Sequence, residues 1–225
     1  MNDLSKETVG KFSFSFGIMA VLVFVCAGTL HYWQGWVFLL VFIGSSAAVT
    51  VDVARRDPEL LRRRLRGGPT AETSPVQRVI QSLAFAVMLA ALAVPALDYR
   101  YGWSHVAWPF VVLGDLLVAL GMLMVLFVFR TNTYAFAVIE VDPKHRVISN
   151  GLYAHVRHPM YAAALILFMG ISPALGSWWG LFMVLPIKWI LIWRLLDEER
   201  FLSKNLPGYE EYRQKVRYRL MPGVW

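Results

Sequence analysis

The chain has 225 residues, of which 57% are hydrophobic and 16% charged, and Cys26 is its single cysteine. An ordinary soluble domain has about 45–50% apolar and about 25% charged residues, so disorder, a coiled coil and a disulfide scaffold are excluded and an integral membrane protein is indicated. The net charge of +7 is read as basic residues collected on the cytoplasmic side, with no nucleic-acid partner expected.

A spanning helix needs about 20 apolar residues, and six segments qualify: 12–30, 33–54, 79–97, 106–129, 157–176 and 178–196. Lys6 and Lys11 precede the first like the start of a signal peptide. No small-residue cleavage site closes it, so it is read as a retained span. With the N-terminus inside, the inner segments hold two, seven, four and six Lys or Arg, against Arg100 alone outside. Trp33, Trp36, Tyr101, Trp103, Trp108, Trp178 and Trp179 gather at the outer turns, where amphipathic rings favour the interface. The expected fold is an all-α polytopic membrane bundle of about six spans with both termini cytoplasmic. Residues 1–129 form its four-helix membrane region, and 130–225 a catalytic region.

The outer turns are short. The inner side carries three longer polar segments, 55–78, 130–158 and 197–225, so chemistry is expected at the cytoplasmic membrane boundary. In the first, Asp57 suits an N-cap, Pro58 the first helical position and Gly67 a stop. The segment is either a short helix lying on the anionic leaflet or a charge block that sets topology. No Rossmann glycines, Walker sequence or internal repeat is present.

Gly151-Leu152-Tyr153-Ala154-His155-Val156-Arg157-His158-Pro159-Met160-Tyr161 opens the fifth span. Pro159 fits a first helical turn, and Arg157 and His158 beside a helix N-terminus make an anion-binding corner or a basic anchor. His155 and His158 lack further ligands at metal spacing, so no metal is expected. Arg194-Leu195-Leu196-Asp197-Glu198-Glu199 closes the sixth span, and Arg194 and Glu198 lie four apart on one helical face. Which of the two glutamates faces inward is left open by the spacing. The turn Leu206-Pro207-Gly208-Tyr209-Glu210-Glu211-Tyr212 follows, and then Arg213, Lys215, Arg217 and Arg219 read as an interfacial anchor. Asp115 and Lys188 lie at similar depth, about 14–15 Å in, and are expected either to pair or to bond separately.

These stretches resemble the isoprenylcysteine carboxyl methyltransferase family, related to the phospholipid N-methyltransferases. The resemblance rests on Arg157-His158-Pro159-x-Tyr161, on Arg194-x-x-x-Glu198-Glu199 and on the turn at Gly208 and Tyr212, and covers about residues 130–225. It implies S-adenosylmethionine as cofactor and S-adenosylhomocysteine as product. The implied acceptor is a lipophilic or lipidated molecule reached from the bilayer. By motif match, His158, Tyr161, Glu198 and Tyr212 contact cofactor, Val147, Ile148, Gly151 and Tyr153 wall its adenine side, and Arg157 organises the corner. Arg194 would hold an anionic acceptor, with Glu199 positioning Arg194 or taking a proton from an amine. Ala163 departs from the family's glycine and would narrow an approach between helices. The alternatives are an NADPH-dependent membrane reductase, which shares Arg-His-Pro-x-Tyr, and a small transporter or lipid-binding protein.

Overall fold

The computed structural model describes residues 3–67, 71–72, 74–135 and 146–225. Among these residues eight α-helices follow in chain order: α1 (Asp3–Ala27), α2 (Trp33–Arg56), α3 (Pro58–Leu65), α4 (Pro75–Tyr101), α5 (Trp108–Thr131), α6 (Pro159–Ala174), α7 (Val184–Asn205) and α8 (Tyr209–Lys215). No strand occurs among the described residues. Prolines stand in the first turn of α3, α4, α5 and α6, where a missing N–H costs nothing.

Among the described residues, five helical stretches are long and apolar enough to cross a bilayer, ending with Trp179–Asn205, in which a short 3-10 turn leads into α7. The segment expected as a fifth full span, 157–176, is the shorter apolar helix α6 of 16 residues. At about 1.5 Å per residue it reaches about 24 Å, short of a hydrocarbon core about 30 Å thick. The helix α7 in turn runs on to Asn205, past the expected 196, and carries Arg194, Glu198 and Glu199 within it.

Helices α5 and α6 pack at the heart of the bundle. A Cβ at Gly114 would sit 2.2 Å from the Ala174 backbone N, and one at Gly170 would sit 2.6 Å from the Gly114 carbonyl oxygen. Backbone meets backbone here, as small residues allow between membrane helices. Ala163 is fully buried, and a Cβ at Gly121 would sit 3.0 Å from its carbonyl oxygen. Gly114→Ala is therefore expected to destabilise the bundle by about 1–3 kcal/mol, the cost of overpacking. Thermal unfolding in detergent measures it, and an unchanged midpoint would show that the two helices part freely.

At the end of the bundle remote from the long polar segments, the fully buried Asp98 of α4 accepts hydrogen bonds from Ser104 N (2.7 Å), Ser104 Oγ (2.6 Å) and Ser177 Oγ (2.5 Å). The Tyr32 hydroxyl donates to the Leu175 carbonyl nearby. A buried carboxylate needs such partners, and these tie three turns together. Asp115 and Lys188 do not pair. Lys188 Nζ lies 4.8 Å from the ring centre of the exposed Trp189, and both carboxylate oxygens of Asp115 are buried without a hydrogen-bond partner among the described residues. Equal depth along two helices leaves their facing directions unspecified, and here those directions differ.

Candidate functional site

Helix α3 forms as its sequence predicts. Asp57 caps it, accepting from Leu60 N at 2.9 Å. Its apolar face is turned onto protein: Leu60 and Leu61 are buried against Val49, Val53 and Met122. Arg64 of its last turn thereby reaches the bundle, donating to the Ala135 carbonyl at 3.3 Å, with its guanidinium carbon 4.9 Å from the Phe129 ring centre.

Arg157 and His158 do not form an open anion corner, because α7 supplies the anion. The Glu199 carboxylate accepts from Arg157 Nε at 2.7 Å and from Arg219 Nε at 3.1 Å, and lies 3.1 Å from His158 Nε2. Arg157 Nη1 also donates to the carbonyls of Val216 (3.0 Å) and Arg217 (3.2 Å). The backbone N–H groups of Arg157 and His158 bond to Tyr218 and Arg219 carbonyls at 2.9 Å each. Arg219, expected as an interfacial anchor, is thus part of a buried hub that sews the C-terminal segment to the start of α6. Burial of both charges is tolerable because each is hydrogen-bonded several times over.

Glu198, about 100° round the helix from Glu199, faces a different space. A cavity of about 520 Å³ opens there, lined by Glu198 but not by Glu199. The expected cofactor residues Val147, Ile148, Tyr153 and Arg157 line it, as do His158, Tyr161 and Tyr212. Gly151 does not. It holds φ +57°, and a Cβ there would meet the Thr131 side chain at 3.0 Å, so it packs the loop against α5.

Arg194 also lines the cavity. It shares no hydrogen bond with Glu198; the Tyr161 hydroxyl stands between them, bonding the Glu198 carboxylate and accepting from Arg194 Nε at 3.2 Å. Nor does Glu199 support Arg194. That work falls to Gln77 Oε1 and Glu72 Oε1, each 3.1 Å from the guanidinium. Gln77 in turn donates to Asp197, and Gln81 to Glu72. Glu72 and Gln77 are buried, at 3% and 1% exposure. Sequence reasoning passed over this polar cluster. The signal was there: two glutamines four apart at the inner end of an apolar helix, next to a carboxylate.

Tyr153, Tyr209 and Tyr212 complete the polar wall. Tyr212 Oη donates to the Tyr153 carbonyl at 2.8 Å, and Asn132 Nδ2 donates to Tyr153 Oη at 2.9 Å. Burial pushes Tyr153 up to about 12 and raises Tyr209 and Tyr212 as well, so all three phenols remain donors at neutral pH. The Tyr209 hydroxyl is buried and has no hydrogen-bond partner among the described residues. Buried hydroxyls are rarely left so. The cavity therefore offers a carboxylate, guanidiniums, several aromatic rings and one unspent polar group above apolar walls from α4 to α7, the arrangement of a small-molecule site.

A family model described as phospholipid methyltransferase matches residues 109–207. A rice protein (Oryza sativa subsp. indica) named "Probable protein-S-isoprenylcysteine O-methyltransferase" is 26% identical over 145 residues, which are 62% of this chain and 74% of that protein. The protein-S-isoprenylcysteine O-methyltransferase of Schizosaccharomyces pombe is 32% identical over 74 residues, 32% of this chain and 31% of its own length. With the helical bundle and its polar-ended cavity, these matches define a membrane-embedded methyltransferase. Within that class the chain is similar to the isoprenylcysteine carboxyl methyltransferases, as its Arg-His-Pro-x-Tyr and Arg-x-x-x-Glu-Glu motifs indicate.

Proposed function

We propose that the chain is an S-adenosylmethionine-dependent methyltransferase acting on a lipophilic, isoprenylcysteine-like carboxylate at the cytosolic boundary of the membrane. The observation that carries this reading is the line Glu198, Tyr161, Arg194 along one cavity wall. It sets an anionic group and a cationic group on either side of one phenol, suited to a cationic donor and an anionic acceptor.

The residues present fit the cofactor. A cavity of about 520 Å³ lies within the range of about 300–1,000 Å³ usual for such ligands. The unpartnered Tyr209 hydroxyl awaits an acceptor, and the tyrosine rings suit both a purine and a sulfonium. Glu198, His158, Tyr161, Tyr209 and Tyr212 would hold the cofactor, with Val147, Ile148 and Tyr153 beside the adenine. When bound, S-adenosylmethionine supplies the transferred methyl group on a good leaving group. An ionised acceptor needs no base, so the task of Arg194 is to grip and align it, and alignment alone is worth several kcal/mol. Glu199 acts at a distance: held among Arg157, His158 and Arg219, it positions the loop and C-terminal segment that wall the cavity. The apolar faces of α4 to α7 suit a lipid tail entering sideways, while the Lys and Arg residues of the inner polar segments favour that end facing the cytosol.

Glu198→Gln is expected to weaken S-adenosylhomocysteine binding at least tenfold, about 1.4 kcal/mol. Calorimetry on detergent-purified protein measures this, alongside radiolabelled methyl transfer to S-farnesyl-N-acetylcysteine. Unaltered affinity in the folded variant would remove Glu198 from the cofactor site, and wild-type protein that binds NADPH instead would overturn the reading.

A further inference from the structure

We propose that Arg64, carried in by helix α3, is a second acceptor-binding residue, and that Arg64 and Arg194 form a guanidinium pair that grips the acceptor's carboxylate. The proposal rests on the methyl-transfer reading above and adds to it a residue from a distant part of the chain. Arg64 and Arg194 line the same cavity, whose adjoining walls include Ile80, Ala84, Val125 and Leu167. A cationic end on an apolar slot matches a lipid tail that terminates in an anion.

Arg64 is held for this task. Leu60 and Leu61 anchor its helix to the bundle, the Ala135 carbonyl takes one N–H, and the Phe129 ring lies beside the guanidinium. Burial and the neighbouring Arg194 cation lower Arg64 to about 10. Like charges side by side disfavour each other; Glu72 offsets Arg194 from one side, and an acceptor's monoanion would add to that offset. An amine acceptor has the opposite consequence, because its methylation adds or retains positive charge beside two cations. The planar fork of a guanidinium suits a carboxylate bidentately, so the pair selects for an oxygen acceptor.

The test measures binding of S-farnesyl-N-acetylcysteine as free acid and as carboxamide to detergent-purified protein, with and without S-adenosylhomocysteine. Wild type is expected to favour the acid at least about thirtyfold, in keeping with two charge-assisted contacts. Arg64→Gln is expected to lose at least about fivefold of that preference and Arg64→Lys somewhat less, with S-adenosylhomocysteine affinity held within about twofold. A wild-type chain without preference for the acid overturns the pair, whether or not the variants fold. So does an Arg64→Gln variant that keeps the full preference. Loss of S-adenosylhomocysteine affinity with the preference intact would assign Arg64 to the cofactor's carboxylate and overturn the proposal as well. Acid-selective binding in a chain that takes no S-adenosylhomocysteine would sink the methyl-transfer reading and leave the pair standing.

Discussion

Glu199→Ala is expected to destabilise the protein by about 3–5 kcal/mol, the usual cost of stranding one side of a buried ion pair. The Arg157 and Glu199 side chains are only 6% and 5% exposed, and their contact is 2.7 Å. Removing the carboxylate leaves two guanidiniums and His158 facing one another without their common anion. The connection to Val216, Arg217, Tyr218 and Arg219 should loosen with it, since Arg157 binds that segment through both backbone and side chain. Chemical denaturation in mixed micelles is the measurement. The double variant with Arg157→Met should recover part of the loss, because no charge is then left without its partner. A single variant as stable as wild type would show that water reaches the hub.

Arg194→Ala is expected to lower kcat at least a hundredfold, about 2.7 kcal/mol of barrier, while S-adenosylhomocysteine affinity stays within about threefold. The guanidinium is held by Tyr161, Gln77 and Glu72, so its removal also strands Glu72, whose side chain is 2% exposed. Pairing the change with Glu72→Gln separates folding from chemistry: the double variant should regain thermal stability and remain slow. Arg194→Lys should recover only a small part of the rate, since an ammonium cannot reproduce a planar forked contact. Normal turnover in the folded double variant would reduce Arg194 to a structural residue.

Much of the architecture was legible in the chain because it depends on neighbours in sequence. Runs of apolar residues specify where helices form, Asp57 and Pro58 specify the start of α3, and the gathering of basic residues marks the end of the bundle that carries the long polar segments. The motifs around Arg157 and Arg194 likewise point to residues that line the cavity, and a spacing of four puts Arg194 and Glu198 on a shared helical face. The sequence determined that much by itself.

Which way each helix turns was decided by packing. Glu198 meets the cavity and Glu199 the hub because α7 is rotated against α6, and that rotation follows from contacts such as those of Tyr161 and His158 with the two glutamates. The same cause separates Asp115 from Lys188 despite their equal depth. It also brings Glu72, Gln77 and Arg64 to Arg194 across more than a hundred residues of chain. Hydrophobic runs fix a helix's length and depth, but in a bilayer both lipid and protein accept an apolar face. Its direction is therefore set by close fits such as Gly114 against Gly170 and Ala174, which exist only once the helices have come together.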